Sequence, residues 1–156
     1  MKNLVIRAIG RLPEPWQKEA IHSYKKRLEA FGGIEIIELS EGHKGSAKPD
    51  IERVKKLESE ELLKGIPENA MIVACDEHGK SLDSIDFSET LEAFGLSGPV
   101  YFLIGGSWGF DEEVKKRANL TISFGKMVFP HGLVRIMLIE QIYRAKMIAG
   151  GREYHK

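Results

Sequence analysis

Five consecutive residues, Gly105-Gly106-Ser107-Trp108-Gly109, match G-x-S-x-G, the pattern that places a serine nucleophile on a sharp turn between a strand and a helix. Asp111 and His131 follow in the order Ser, Asp, His that such hydrolases use. The local context argues against this chemistry, because an elbow needs its helix to begin at the nucleophile. Here Gly109 intervenes, and Asp111-Glu112-Glu113 places negative charge where the first turn of a later helix would attract it. The same glycines have a second use: without a Cβ they let backbone and its amides approach a ligand closely. The loop is neither a dinucleotide fingerprint nor a P-loop, since G-x-G-x-x-G and G-x-x-x-x-G-K-[ST] are both absent. A neutral or zwitterionic nucleoside-like ligand is compatible with it.

Other reactive side chains are dispersed. His22, His43, His78, His131 and His155 form no HExxH or paired-ligand spacing, so no metal site is expected. His22 is expected at the surface and His78 in a turn. Cys75 is the one cysteine, which rules out an internal disulfide and fits a small buried hydrophobe better than a nucleophile. The formal net charge is zero, against bulk electrostatic coating of nucleic acid, but its distribution is uneven. Residues 126–156 hold six Lys or Arg and two acids, a net +4, which leaves the rest of the chain at −4. Such an end can hold RNA locally; solvated helix faces explain the charge equally well.

The elements that must position these groups follow from periodicity. Residues 2–9 form an apolar, β-branched run ending at Gly10, as a buried strand does. Pro13 and Pro15 open a helix whose core stripe is Trp16, Ala20, Tyr24 and Leu28, widened by Ile21 and Phe31. Residues 34–39 read as a strand, and 40–49 as a mobile polar loop with Gly42, Lys44, Gly45 and Lys48. Asp50 caps a helix with Ile51, Val54, Leu57 and Leu62 on its apolar face. Residues 70–75 are a third strand, from which Asp76-Glu77-His78-Gly79 turns the chain away. Asp86 and Glu89 have the form of a capping box for a helix through Phe94. Strands at 100–104 and 120–123 flank a short helix to Arg117, and a long helix, 132–149, precedes the tail 150–156.

This alternation implies an α/β layer structure with a mainly parallel sheet in a single domain, 1–156. Ligands in such sheets bind beyond the strands' carboxyl ends, which singles out the loops after Cys75, Ile104 and Ser123. The last helix is apolar around most of its circumference and needs cover on more than one side. A second subunit is one cover, which makes a homodimer the working expectation; deep burial in the monomer is the other. Arg7 interrupts the first apolar run before it could serve as a signal-peptide core, and no run approaches a membrane span, so a cytoplasmic location is expected.

The most informative residues lie from Phe102 onward: Phe102-Leu103-Ile104-Gly105-Gly106-Ser107-x-Gly109, then Ser123-Phe124-Gly125-Lys126-Met127-Val128-Phe129-Pro130-His131, Val134-Arg135, Leu138-Ile139-Glu140-Gln141-Ile142-Tyr143-Arg144-Ala145, and Tyr154-His155. In that order they closely resemble the RlmH family of SPOUT-class methyltransferases. The opening strand to Gly10, Tyr24-x-x-Arg27-Leu28 and Gly79-Lys80 extend the resemblance over essentially the whole chain. It implies a SPOUT-type parallel sheet with helices on both faces, a C-terminal trefoil knot and a homodimer. It also implies methylation of N3 of a pseudouridine in 23S ribosomal RNA, on the assembled ribosome, at a site completed by the partner chain. The implied S-adenosylmethionine positions are Cys75, Gly105, Phe124, Gly125, Lys126, Met127, Val128 and Phe129. Two depart from the family's habit: Cys75 stands where Leu is common and Gly125 where Ser is common.

Methyl transfer from a sulfonium requires alignment of nucleophile, carbon and sulfur, and N3 must lose its imide proton. The candidates in the basic segment are His131, Arg135, Tyr154 and His155. Arg135 and the Tyr154-His155 tail are expected to hold the base or its phosphates, with His131 orienting the site. Two other readings are a non-catalytic RNA- or ribosome-binding module and the serine hydrolase.

Overall fold

A computed structural model describes residues 2–43 and 47–156; Lys44 and Gly45 of the expected polar loop lie outside them. Five parallel strands run in the order β2-β1-β4-β3-β5: β1 (Leu4–Ile9), β2 (Glu35–Leu39), β3 (Met71–Ser81), β4 (Val100–Ile104) and β5 (Leu120–Ser123). The helices are α1 (Pro15–Leu28), α2 (Ile51–Leu63), α3 (Ser84–Ser97), α4 (Glu112–Arg117) and α5 (His131–Ala149). The period of two in a strand divides its apolar side chains between two faces. Leu4, Ile6 and Ala8 of β1, with Val100, Phe102 and Ile104 of β4, share a core with α1, α3 and α5. Val5, Ile9, Tyr101 and Leu103 point the other way, into a core with α2 and α4. Helices on both faces are therefore the outcome of two alternating apolar sets.

Arg7, which breaks the apolar run of β1, is consistent with this arrangement. Its Nη1 donates to the carbonyls of Leu62 (2.9 Å) and Lys64 (2.6 Å), groups at the end of α2 that have no intrahelical partner. A cation there also meets the negative end of the helix dipole.

Four expectations need correction. Trp16 is 55 % exposed, because Gln17 takes the inward position: its Oε1 accepts from the Glu14 N–H at 3.1 Å, and its amide lies against Gly132 of α5. Ile51 and Leu57 of α2 are also exposed, while Val54 and Leu62 are buried; the helix rests on the sheet along a narrower stripe than its apolar residues suggest. Helix α3 begins two residues before Asp86, capped by Asp83, whose carboxylate accepts from the Asp86 N–H at 2.8 Å. The earlier start brings Ser84 Oγ within 2.7 Å of Gln141 Oε1 on α5, and Ser88 Oγ donates to the Ala145 carbonyl at 2.7 Å.

The fourth correction concerns residues 76–79, which do not take the chain out of the sheet. Cys75 and Lys80 both pair with Ile122 of β5, so the four residues between them form a bulge, tightened by the Asp76 carboxylate accepting from the His78 N–H at 2.8 Å. Gly79 makes this possible, since a Cβ there would lie 2.6–2.8 Å from the backbone of Ile122. Gly79→Ala is expected to cost about 2 kcal/mol by overpacking against backbone that cannot yield. The corresponding fall in Tm, roughly 4–8 °C, is measurable by thermal denaturation.

Candidate functional site

Strands β4, β3 and β5 are adjacent, and their register sets Cys75, where the bulge of β3 begins, between Ile104 at the end of β4 and Ile122 near the end of β5. Beyond them lies a cavity of about 410 Å3. Cys75 and Gly105 contribute to its wall, as do Phe124, Gly125, Met127, Val128 and Phe129 from the loop after β5, and His131 at the start of α5. Lys126 does not line it and is exposed. Met127 and Val128, large apolar side chains at the cavity, are 77 % and 79 % exposed.

Each loop has a local cause. Residues 106–109 form a tight turn in which the Gly109 N–H donates to the Gly106 carbonyl at 3.1 Å, with Gly109 at a φ of +80° that favours glycine. A Cβ on Gly105 would meet the Phe110 ring at 3.2 Å, so backbone itself faces the cavity there. In the loop after β5 the Ser123 hydroxyl donates to the Gly125 carbonyl (2.7 Å) and accepts from its N–H (3.0 Å), with Gly125 at φ +126°. Ser123 is a loop-forming residue that strand periodicity did not reveal; a hydroxyl two residues before a glycine is the signal that would have found it.

Electrostatics define what the side chains can do. Burial pushes the Cys75 thiol up to about 12, with Asp76 adding to the effect, so almost no thiolate is present near neutral pH. Alkylation of Cys75 by iodoacetamide at pH 7.5 is therefore expected to be about a thousandfold slower than for a thiol of ordinary acidity, as mass spectrometry over time can check. Burial, and to a smaller degree the positive charge of Arg135, lowers the pKa of His131, while Glu41 opposes them. The imidazole is thus neutral at pH 7. The unfolded chain takes up this proton first as pH falls, so the stability contributed by neutral His131 is present above the ordinary imidazole value and declines below it.

The hydrolase arrangement is incomplete. Ser107 Oγ and His131 Nε2 do lie 3.4 Å apart, but Asp111 is committed as the cap of α4, its carboxylate accepting from the N–H groups of Glu113 and Val114. The helix begins at Glu112, five residues after the serine, as the glycine spacing implied.

The remaining basic-segment candidates are elsewhere. Arg135 is 1 % exposed; its Nη1 donates to Glu38 Oε2 at 2.8 Å and its Nη2 to the Gly10 carbonyl at 3.2 Å, joining α5 to the ends of β2 and β1. That placement corrects the expectation that it holds the base or a phosphate. Tyr154 packs edge-on against Tyr143 at 5.0 Å between centroids and beneath the guanidinium of Arg144 at 4.8 Å. His155 Nδ1 is 3.1 Å from Arg144 Nη1; arginine can only donate, so this nitrogen accepts and the ring proton is on Nε2. Arg144, fixed in turn by Glu140 at 2.6–2.7 Å, organises the tail and was missed among the candidates, although the i,i+4 Glu-Arg spacing points to it. His155 lines a second cavity of about 770 Å3, with Tyr24, Ile136 and Met137; Phe124 and Gly125 line both cavities.

Among the described residues no cluster of His, Cys, Asp and Glu is arranged to hold a metal ion, and no helix is long and apolar enough to cross a membrane. Comparison with known proteins agrees with the geometry. The family described as "Predicted SPOUT methyltransferase" matches residues 1–155. The ribosomal RNA large subunit methyltransferase H of Desulfitobacterium hafniense (strain DSM 10664 / DCB-2) is 42 % identical over 160 residues, covering all of both chains. The proteins of the same name from Clostridium tetani (strain Massachusetts / E88) and Clostridium kluyveri (strain NBRC 12016) are 39 % and 41 % identical, each over 99 % of both chains. A parallel sheet with late-strand loops gathered around one cavity, and similarity running from end to end, place this chain in the SPOUT methyltransferase family.

Proposed function

We propose that the protein methylates N3 of a pseudouridine in 23S ribosomal RNA, on the assembled ribosome in the cytoplasm, with S-adenosylmethionine as the methyl donor. The observation that carries the reading is the convergence of Cys75, Gly105 and residues 124, 125 and 127–129 on one cavity, at the ends of β4 and β5 and the bulge of the β3 strand between them. The cavity fits a nucleoside donor: its volume is in the usual ligand range, Phe124, Phe129 and Trp108 offer flat faces for a purine, and bare backbone at Gly105 allows close approach. When bound, S-adenosylmethionine supplies a methyl group activated by the sulfonium.

The chain supplies alignment and proton handling. The loop glycines and the apolar rim fix the donor's orientation, and Met127 and Val128 exclude water once covered. His131, neutral and on the wall of the cavity, accepts a hydrogen bond from the imide N3–H, which increases the nitrogen's nucleophilicity as the proton departs. Because N3 is on the Watson-Crick edge, the target nucleotide must be unpaired when it enters. Tyr154 and His155 are the groups that hold it.

Within one chain the tail is at the second cavity, across the Phe124–Gly125 wall from His131. Only Leu138, Ile139, Ile142 and Ala145 supply fully buried apolar side chains of α5, whereas Ile136, Met137, Met147 and Ile148 are partly covered. Both observations support a homodimer in which one chain's tail completes the partner's site; the knotted C-terminal half is carried by the resemblance alone. The test is mass mapping of ribosomal RNA from cells with and without the protein. One methyl group on a pseudouridine should disappear, and an unchanged modification map would reject the assignment.

A further inference from the structure

Glu58, on α2, is 3 % exposed and belongs to none of the groups considered so far. Its Oε2 accepts from the Gly42 N–H at 2.9 Å, while Oε1 has no hydrogen-bond partner among the described residues. Both neighbours are glycines pressed against it. A Cβ on Gly106 would lie 2.6 Å from Oε1, and one on Gly42 would lie 3.1 Å from Glu58 Cγ and 3.0 Å from the Val54 carbonyl. The next residue, Ser59, accepts from the Asp111 N–H at 3.1 Å. Consecutive residues of α2 thus touch both ends of the stretch 106–111, which includes the glycine turn of the cavity wall. One turn earlier on the same helix, Lys55 lines the cavity.

A buried carboxyl with an unsatisfied oxygen is destabilising, and an apolar side chain would fill the space at less cost. Its position beneath a loop that faces the cavity is what calls for a role. We infer that Glu58 is a positioning residue for the cavity's glycine turn, its carboxyl pinned between the Gly42 turn and the underside of Gly106 so that residues 105–109 are held at a fixed height. The inference rests on the donor reading for its consequence, but not for its geometry.

The charge state agrees. Burial raises the pKa of the Glu58 carboxyl, with Glu41 acting in the same direction and the Gly42 N–H and His43 opposing. The neutral acid is therefore favoured relative to an exposed glutamate, and Gln is the closest replacement: same shape, no charge, a carbonyl oxygen to accept from Gly42 and an NH2 group toward Gly106. Ala removes the pin and leaves the Gly42 N–H without its acceptor.

The test uses the full-length protein and two readouts. Hydrogen exchange of the 105–109 amides, measured without donor, should be about tenfold faster in Glu58→Ala and near wild type in Glu58→Gln. Calorimetric titration with S-adenosylmethionine should show about tenfold weaker binding for Glu58→Ala and restoration to within about threefold by Glu58→Gln. Leu91→Ala, in the core on the opposite face, controls for general destabilisation and should leave donor affinity and loop exchange unchanged. Gly106→Ala should weaken binding in the wild-type background and do so less when combined with Glu58→Ala, because the methyl then has space. Wild-type loop exchange in Glu58→Ala, failure of Gln to restore, or additivity with Gly106→Ala would each overturn the inference. Absence of donor binding by the wild-type protein would instead reject the donor reading, with the exchange experiment still deciding the role of Glu58.

Discussion

Truncation after Arg152, removing residues 153–156, is expected to reduce methyl transfer at least a hundredfold while S-adenosylmethionine affinity stays within about threefold. The boundary follows from the end of α5. The Arg152 N–H donates to the Met147 carbonyl at 2.9 Å and the Gly151 N–H to the Ile148 carbonyl at 3.0 Å, closing the helix, while the Arg152 guanidinium stacks on Phe31. Cutting beyond Arg152 keeps this closure and removes Tyr154 and His155, neither of which lines the donor cavity of its own chain. What is lost is the Tyr154 ring against Tyr143 and Arg144 and the His155 contact to Arg144, an aromatic interaction of about 1 kcal/mol in the folded chain. Donor binding by calorimetry, thermal stability and methyl incorporation into ribosomes should therefore separate cleanly. Unchanged turnover by the truncated protein would remove the tail from the mechanism. Parallel loss of donor affinity would place it at the wrong cavity.

Arg135→Ala is expected to act on folding and not on chemistry. The guanidinium is buried and bridges Glu38 of β2 to the carbonyl of Gly10, so its removal leaves that carbonyl without its donor and a void in α5's packing. Breaking a fully buried pair costs about 3–5 kcal/mol, but Glu38 is 41 % exposed and keeps the Leu12 N–H at 3.2 Å, so about 3 kcal/mol is expected. That corresponds to a Tm lower by roughly 6–12 °C. Arg135→Met, which restores volume without charge, should recover part of the loss, and methyl transfer per folded molecule should stay within about threefold of wild type. A stable Arg135→Met protein whose turnover falls a hundredfold would return this residue to the RNA-contacting set.

Much of the fold was legible because its signals are local. The alternating apolar residues of β1 and β4, Asp50 and Asp111 before their helices, and glycines at the ends of late strands each act within a few residues of themselves. Signals that depend on a distant partner were misread. Trp16 fits a helical stripe, yet Gln17 is inward because Gly132 of α5 presses on it. The segment Asp76-Glu77-His78-Gly79 has the composition of a turn, yet it is a bulge within β3, because Cys75 and Lys80 on either side of it both pair with Ile122. Asp86 resembles a cap until Asp83 takes the position.

The candidate site divides the same way. Gly105 and the loop after β5 could be placed beyond strand ends from sequence, since strand length and breaking residues fix where those strands stop; Cys75, expected at such an end, is at a bulge inside β3. The amino-acid sequence by itself determined most strands and helices and an α/β layering with a mainly parallel sheet, and it singled out the loops after Ile104 and Ser123. Tertiary structure alone decided that β4, β3 and β5 are neighbours, that Arg135 is spent on Glu38 ninety-seven residues away, that the tail lies across Phe124 from His131, and that Glu58 sits beneath Gly106. The physical reason is range. Periodicity, capping and turn chemistry act between residues a few positions apart, whereas the fate of a charge depends on which distant surface excludes water from it.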